Sequence, residues 1–303
     1  MRRRFTVPLI MAMGVAPWLA LKPAPPAVPP AEQPAQLSAV IATETGAEWA
    51  GGFSGIEVLP DGSAWYLVTD RGHIARGTFI RQNNELISAD VTAFKPLVDH
   101  FGNAREFPHT DAEGLALDSE GRLNVSFEHA HRVLRYDDWD AAAIWPAYTR
   151  SWRALPQNGG MEALAVDASG TLFAIPEGVA SGAWEALVYR RSHPNPWEQP
   201  FTLPLAAGFK PTGADFGPDG RLYLLERGLY PFGFRSQIRS MSVTDTGFED
   251  IRVILETPLF THGNLEGIAV WRDNAGKIRL TMVSDDNFLR LLRSEIVEYV
   301  LTE

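Results

Sequence analysis

One short phrase recurs five times along this chain, as Ser54-Gly55-Ile56-Glu57-Val58, Glu113-Gly114-Leu115-Ala116-Leu117, Glu162-Ala163-Leu164-Ala165-Val166, Thr212-Gly213-Ala214-Asp215-Phe216 and Glu266-Gly267-Ile268-Ala269-Val270. A repeat of roughly 50 to 60 residues marks stacked supersecondary units, not one continuous α/β sheet. Each phrase runs into a turn: Pro60-Asp61-Gly62, Ser119-Glu120-Gly121, Ala168-Ser169-Gly170, Pro218-Asp219-Gly220 and Asn274-Ala275-Gly276. A second apolar run follows each turn, so each unit predicts a β-hairpin. Further strand-like runs, such as Val133 to Tyr136, Leu187 to Arg190 and Ile251 to Leu255, bring the unit to four strands. Four strands per unit is the blade of a β-propeller.

The expected fold is therefore all-β, a propeller of five four-stranded blades. The last phrase leaves room for only three strands before the C-terminus, Glu295 to Leu301 being the third. Leu37 to Thr45 is the expected fourth, so that the two ends of the domain share one blade and no sheet edge is left open. Six blades is the alternative, with the long stretch Asp99 to Thr110 as the place where an extra blade could hide. The propeller is assigned to residues 37–303, a Pro/Ala-rich linker to 23–36, and an export signal or N-terminal anchor to 1–22.

That N-terminal assignment rests on Arg2-Arg3-Arg4 ahead of an apolar run from Phe5 to Leu21. A charged n-region and an apolar h-region predict export by the Sec route. Arg2-Arg3-Arg4-Phe5 also resembles the twin-arginine R-R-x-F pattern, and an uncleaved anchor is the third reading. The expected destination is periplasmic or secreted, with membrane contact only through this segment. There are no cysteines, which excludes disulfides, thiolate nucleophiles and zinc–cysteine sites. A net charge of −10 with no basic run beyond the N-terminus argues against nucleic acid as a partner. A small-molecule substrate and a monomer are expected.

Antiparallel pairing brings the start of the first strand of a hairpin beside the end of the second. On that logic each blade contributes a pair of acids to one face: Glu57 with Asp70, Glu113 with Glu128, Glu162 with Glu177, Asp215 with Glu226, and Glu266 with Asp285. So many converging carboxylates raise one another's pKa unless cations or hydrogen-bond donors offset them. Ca2+ suits such a set, because it takes six to eight oxygen ligands in irregular geometry, and another divalent metal is the alternative. The competing reading is structural, with each acid bonding backbone N–H groups of a neighbouring loop. His129 stands at the same rim beside Glu128, whereas His131 and His262 are weaker candidates. Arg71 and Arg227 stand beside two of the acids, able to neutralise them or to grip an anionic substrate group. No G-x-S-x-G elbow, H-E-x-x-H or Walker loop is present, so Ser54 and Thr212 read as neutral ligands or structural donors.

Gly52-Phe53-Ser54-Gly55-Ile56 with Thr69-Asp70-Arg71-Gly72, Asp111-Ala112-Glu113-Gly114-Leu115, and Asn264-Leu265-Glu266-Gly267-Ile268 with Ser284-Asp285-Asp286-Asn287 together resemble the bacterial phytase-like family, the "esterase-like activity of phytase" domain. The resemblance covers the chain from about Leu37 onward. It implies an exported propeller with an acidic, calcium-binding centre and hydrolase activity toward phosphate or other esters. In such a hydrolase Glu113, Glu162, Glu266 and Asp285 would hold ions, Glu128 or His129 would act as general base, and Arg71 and Arg227 would steady developing negative charge. Two alternatives stay open: a non-catalytic, calcium-stabilised propeller that binds a glycan, peptide or envelope partner, and a lactonase-like hydrolase.

Overall fold

The structure, a computed structural model, describes residues 33–43, 51–106, 108–147, 149–157, 159–178, 184–230, 233–286 and 294–302. The expected N-terminal signal and most of the linker lie outside the described residues. Among the described residues no helix is long and apolar enough to cross a membrane.

Five separate four-stranded antiparallel sheets make up the fold. The first blade holds β2 (Phe53–Val58), β3 (Ala64–Thr69), β4 (His73–Gln82) and β5 (Glu85–Pro96). The second holds β6 (Ala112–Leu117), β7 (Leu123–Phe127), β8 (Arg132–Tyr136) and β9 (Ile144–Ala147). The third holds β10 (Ala163–Val166), β11 (Thr171–Ile175), β12 (Glu185–Ser192) and β13 (Glu198–Pro204), and the fourth β14 (Lys210–Phe216), β15 (Leu222–Tyr230), β16 (Gly233–Thr244) and β17 (Gly247–Glu256). The fifth is β18 (Asn264–Arg272), β19 (Ile278–Asp285), β20 (Glu295–Leu301) and, from the other end of the chain, β1 (Ala35–Ala42). The stretch from Asp99 to Thr110 adds no sixth blade; its described part carries a single isolated bridge, Val98 to Ala104.

Closure is as the repeat count requires, with β1 pairing antiparallel to β20 from Ala35 opposite Leu301 to Ala42 opposite Glu295. The strand starts at Ala35, two residues ahead of the expected Leu37. A buried network completes the seam: Glu298 on β20 is bonded by Arg279 on β19 and, across the blade boundary, by Arg81 on β4, each at 2.6 Å. Glu298 is fully buried, so both cations offset a charge that would otherwise be costly to bury.

The apolar core is divided among the blade interfaces. Val68 and Ile74 of the first blade pack with Leu115, Val125 and Phe127 of the second. Tyr223 and Leu225 of the fourth likewise pack with Ile268, Leu280 and Val297 of the fifth. Alternation in each strand sends apolar side chains to both faces, since each sheet is covered on both sides by neighbouring blades.

The first strands β2, β6, β10, β14 and β18 line the central channel and meet one another closely there. A Cβ on Gly55 would stand 2.8 Å from the Glu113 carbonyl oxygen, and one on Gly213 would stand 2.5 Å from that of Glu266. In the four phrases that carry it, the glycine at the second position is thus a packing requirement of a narrow axis, while the third phrase accommodates Ala163. The channel tightens at this waist to a cavity of about 10 Å³. Below it, at the hairpin-turn end, it widens into a cavity of about 1450 Å³.

Candidate metal centre

In four of the five phrases the first residue owes its position to a β-bulge, and in the third Glu162 stands just ahead of β10. Register shifts between Phe53 and Gly55, Ala112 and Leu115, Pro211 and Gly213, and Leu265 and Gly267 leave Ser54, Glu113, Thr212 and Glu266 as extra residues on their strands. A bulge re-aims a side chain out of the pleat.

Register also corrects two of the expected pairings. Glu57 lies opposite Tyr66 and Asp215 opposite Tyr223, whereas Asp70 and Glu226 sit at the other end of their hairpins. Three residues along a strand is about 10 Å, enough to carry the fourth residue of the phrase past the waist. Glu57 and Asp215 therefore line the large cavity at the turn end and take no part in the ring formed by the other acids. Each accepts a backbone N–H from the next blade, Leu117 N to Glu57 Oε1 at 3.1 Å and Val270 N to Asp215 Oδ2 at 2.6 Å. Burial raises both, Asp215 to about 7, and the Asp215 charge pushes Glu57 further.

Glu226 is the third correction. Its side chain is fully buried inside the fourth blade, where Arg239 Nε and Nη2 donate to its two oxygens at 2.6 and 2.7 Å. Alternation along β15 turns the neighbouring Arg227 toward the acids in its place.

The remaining acids converge. Glu113, Glu128 and Glu162, all buried, place carboxylate oxygens within 4.8 Å of one another, and Asp111, Glu128 and His129 form a second such group that shares Glu128. Glu128 Oε1 accepts N–H groups from Gly159 and, at 2.8 Å, from Gly160, which locks the side chain between the two groups. His129 Nδ1 is 2.7 Å from Asp111 Oδ2 and 3.4 Å from Glu128 Oε2. His129 holds φ = 53°, the left-handed region that a non-glycine residue occupies at a cost.

Around this pair of groups lies the rest of the ring. Arg227 donates to Glu177, to Glu266 Oε1 at 2.8 Å and to Asn264 Oδ1 at 2.7 Å. Lys210 Nζ stands 3.6 Å from Glu177 Oε2. Asp285, buried, faces Asn264 in the strand pair, and exposed Arg71 adjoins Asp70. Asp70 Oδ1 is buried with no hydrogen-bond partner among the described residues, and a Cβ on Gly52 would fall 2.1 Å from it.

Burial is the first cause of the raised acidities here and mutual repulsion the second. Glu113 is held well above the usual carboxylate range by burial, then by Glu162 and Glu266; Glu162 likewise by burial, then by Glu128 and Glu266. Glu266 is pushed to about 8 by burial despite Arg227. Asp70 is pushed to about 7 by burial, then by Asp285 and Asp111, with Arg71 opposing. A hard cation fits this donor set. It is all carboxylate oxygen apart from one imidazole, it carries an unpartnered buried oxygen on Asp70, and it has too few cations of its own.

Asp111 is the member that motif reasoning passed over. A signal was available: it stands two residues before Glu113, as Asn264 stands two before Glu266, and alternate residues share a strand face. Of the weaker histidines, His131 packs beside Glu128 against Gly160, whereas His262 packs against Tyr299. His131 Nε2 is 2.9 Å from the Pro156 carbonyl oxygen, and His262 Nε2 is 2.8 Å from Tyr299 Oη, with burial lowering His262 to about 4.

Fold and site together define a five-bladed propeller with a metal-competent acidic centre at one mouth of its channel. The chain matches the family described as "Phytase-like: Esterase-like activity of phytase" over residues 48–288, and it belongs to that family. No curated protein matches it in sequence. Among solved structures it is similar to a PQQ-bound aldose sugar dehydrogenase from Streptomyces coelicolor, at 14% identity and a TM-score of 0.49 over 90% of this chain and 100% of that one. It is similar also to regucalcin, a calcium-binding protein from Agrobacterium tumefaciens, at 10% identity and a TM-score of 0.49 over 88% and 96% of the two chains. A gluconolactonase from Xanthomonas campestris matches at 14% identity and a TM-score of 0.44, over 93% of this chain and 99% of that one. Likenesses at this level carry nothing about activity.

Proposed function

We propose that the protein is an exported, metal-dependent hydrolase of phosphate or other esters, with Ca2+ as its metal. The observation that carries this reading is the buried convergence of Glu113, Glu128 and Glu162 with Asp111 and His129. Glu113, Glu128 and Glu162 would hold the ion, with Asp111, Glu266, Asp70 and Asp285 completing the acidic ring. A divalent ion bound there supplies polarisation of a phosphoryl or carbonyl oxygen and acidification of a water.

The chain's own groups supply the rest. Glu128, pinned by two backbone N–H groups, keeps its second oxygen aimed at His129. With Nδ1 held by Asp111, Nε2 of His129 is the ring nitrogen assigned to proton transfer. Arg227 is a positioning residue, since its donors are engaged by Glu177, Glu266 and Asn264. Arg71, exposed at the rim, is the cation assigned to an anionic group of the substrate. The N-terminal Arg2-Arg3-Arg4 and the apolar segment after it support export, and the net charge of −10 favours a small-molecule ester over nucleic acid. A monomer is the expected working form.

The test is metal content of the purified protein, followed by hydrolysis of phosphate-ester, carboxyl-ester and lactone panels with and without chelator. Chelator-sensitive turnover that falls in Glu113→Gln and Glu162→Gln supports the reading, and the panel identifies the bond. Bound calcium with no turnover replaces it with the binding-module reading.

A further inference from the structure

Beside the acidic centre lies a small pocket of opposite character. Its cavity is about 230 Å³, room for about seven waters at liquid density, and Arg132, Tyr136, Phe127, Asp99, Arg105 and Thr110 are among its walls. Arg132, at the start of β8, donates to the carbonyl oxygens of Ala130, at 2.9 Å, and His109, and its guanidinium lies 4.0 Å from the centroid of the Phe127 ring. No carboxylate forms an ion pair with it among the described residues. The acid nearby is committed elsewhere: Asp99 Oδ2 pairs with Arg105 at 2.5 Å, and Asp99 Oδ1 accepts the N–H groups of Phe101 and Asn103 at 2.9 and 3.0 Å.

At the other end of β8, Tyr136 is 4% exposed, and its Oη has no hydrogen-bond partner among the described residues. Burial of a hydroxyl without a partner is costly, and Arg132, half-buried, has carbonyl oxygens and a ring face but no anion against it. Burial lowers Arg132 to about 10 and raises Tyr136, which keeps the phenol a neutral donor. One small anion accepting from both side chains would satisfy the hydroxyl and give the guanidinium its counter-ion.

We propose that the Arg132–Tyr136 pocket is a binding site for a small oxyanion, a phosphate or carboxylate group. Two sources are open to it: a second anionic group on the ester substrate, or a free anion. Proximity favours the first, because Thr110 in the pocket wall adjoins Asp111 of the metal centre and Gly72 in the same wall follows Asp70 by two residues. That choice of source rests on the hydrolase reading; the site itself does not.

The experiment is calorimetric titration of the purified protein with inorganic phosphate, with and without a calcium chelator, in wild type, Tyr136→Phe and Arg132→Gln. The expected result is phosphate binding that persists under chelation, is about tenfold weaker in Tyr136→Phe and is lost in Arg132→Gln. Tyr136→Phe should match or exceed the wild-type Tm in phosphate-free buffer, since it deletes an unpartnered hydroxyl; it also keeps the test independent of whether Arg132→Gln folds. No phosphate binding under chelation, or binding that Tyr136→Phe leaves unchanged, overturns the proposal. A second readout separates the sources. If Tyr136→Phe narrows the kcat/KM preference for an ester with a second anionic group over its uncharged analogue, the anion belongs to the substrate. If phosphate affinity falls while that preference stays, the anion is a free one. Absence of ester turnover would remove the hydrolase reading and leave the phosphate result standing.

Discussion

Arg227 Nη1 on β15 donates to Glu266 Oε1 on β18 at 2.8 Å while Nη2 donates to Glu177 just beyond β11, so one guanidinium ties the third, fourth and fifth blades together at the acidic mouth. Its side chain is 19% exposed and Glu177 and Glu266 are 10% and 15% exposed, so solvent screens these contacts only in part. Arg227→Met should destabilise the chelated protein by ~3–5 kcal/mol, because two carboxylates lose their shared cation. Thermal unfolding in chelator and in calcium checks this. The loss should shrink in calcium, where the ion offsets the same charges.

Calcium should raise the Tm of wild type, with stabilisation of about 2.7 kcal/mol when the free ion is at 100 times its Kd. Glu162→Gln should abolish that increment. The same substitution should leave the metal-free protein at pH 8 at least as stable as wild type, since it removes a carboxylate that burial and its neighbours hold well above its usual range. Differential scanning calorimetry of both proteins, with and without calcium, reads both outcomes.

The turn-end acids predict a pH dependence of their own. Folding raises Asp215 from its usual value near 4 to about 7, so the native state holds a proton that the unfolded chain has released across that window. The stability this gives is fully present below about pH 4 and is lost as pH rises through about 7. Asp215→Asn keeps an acceptor for the Val270 N–H and removes the titration. Its Tm should exceed the wild-type value at pH 8 and match it at pH 4, by about 2–4 °C for each kcal/mol relieved. Calcium should leave the difference unchanged, because Asp215 lies beyond the waist from the candidate metal centre.

Glu226 and Arg239 form a buried pair with side chains 0% and 7% exposed. Arg239→Met should cost ~3–5 kcal/mol by stranding the carboxylate, while calcium affinity stays at the wild-type value. Chemical denaturation and calcium titration of the same variant separate blade integrity from metal binding. A fall in calcium affinity of the folded variant would return Glu226 to the ring.

Much of this architecture was legible in one dimension. Blade number and closure follow from five phrases, five turns and a missing outer strand, because hairpin formation is local and a propeller must seal its edges. Glu113, Glu128 and Glu162 were also readable as a convergent set, since hairpin pairing alone brings strand starts and strand ends together. His129 followed from its place beside Glu128. The placement of Glu57 and Asp215 was not readable. Both are acids within the repeated phrase, but they stand at its fourth residue and not its first, and the waist that separates the two positions exists only once five strands pack around an axis.

Sequence by itself thus determined the fold, the family and which hairpin ends carry acid, because these depend on local periodicity and on counting strands. Tertiary structure alone decided which acids share a site. The bulge that turns Glu113 and Glu266 out of the pleat, the alternation that exchanges Glu226 for Arg227 at the mouth, and the recruitment of Asp111 to His129 all depend on register. The Arg132–Tyr136 pocket is of the same kind: its cation and its phenol are ordinary strand residues until Asp99, Arg105 and Thr110 of the preceding loop wall a cavity against them. Register and burial arise from contacts between distant parts of the chain, so no reading confined to neighbouring residues contains them.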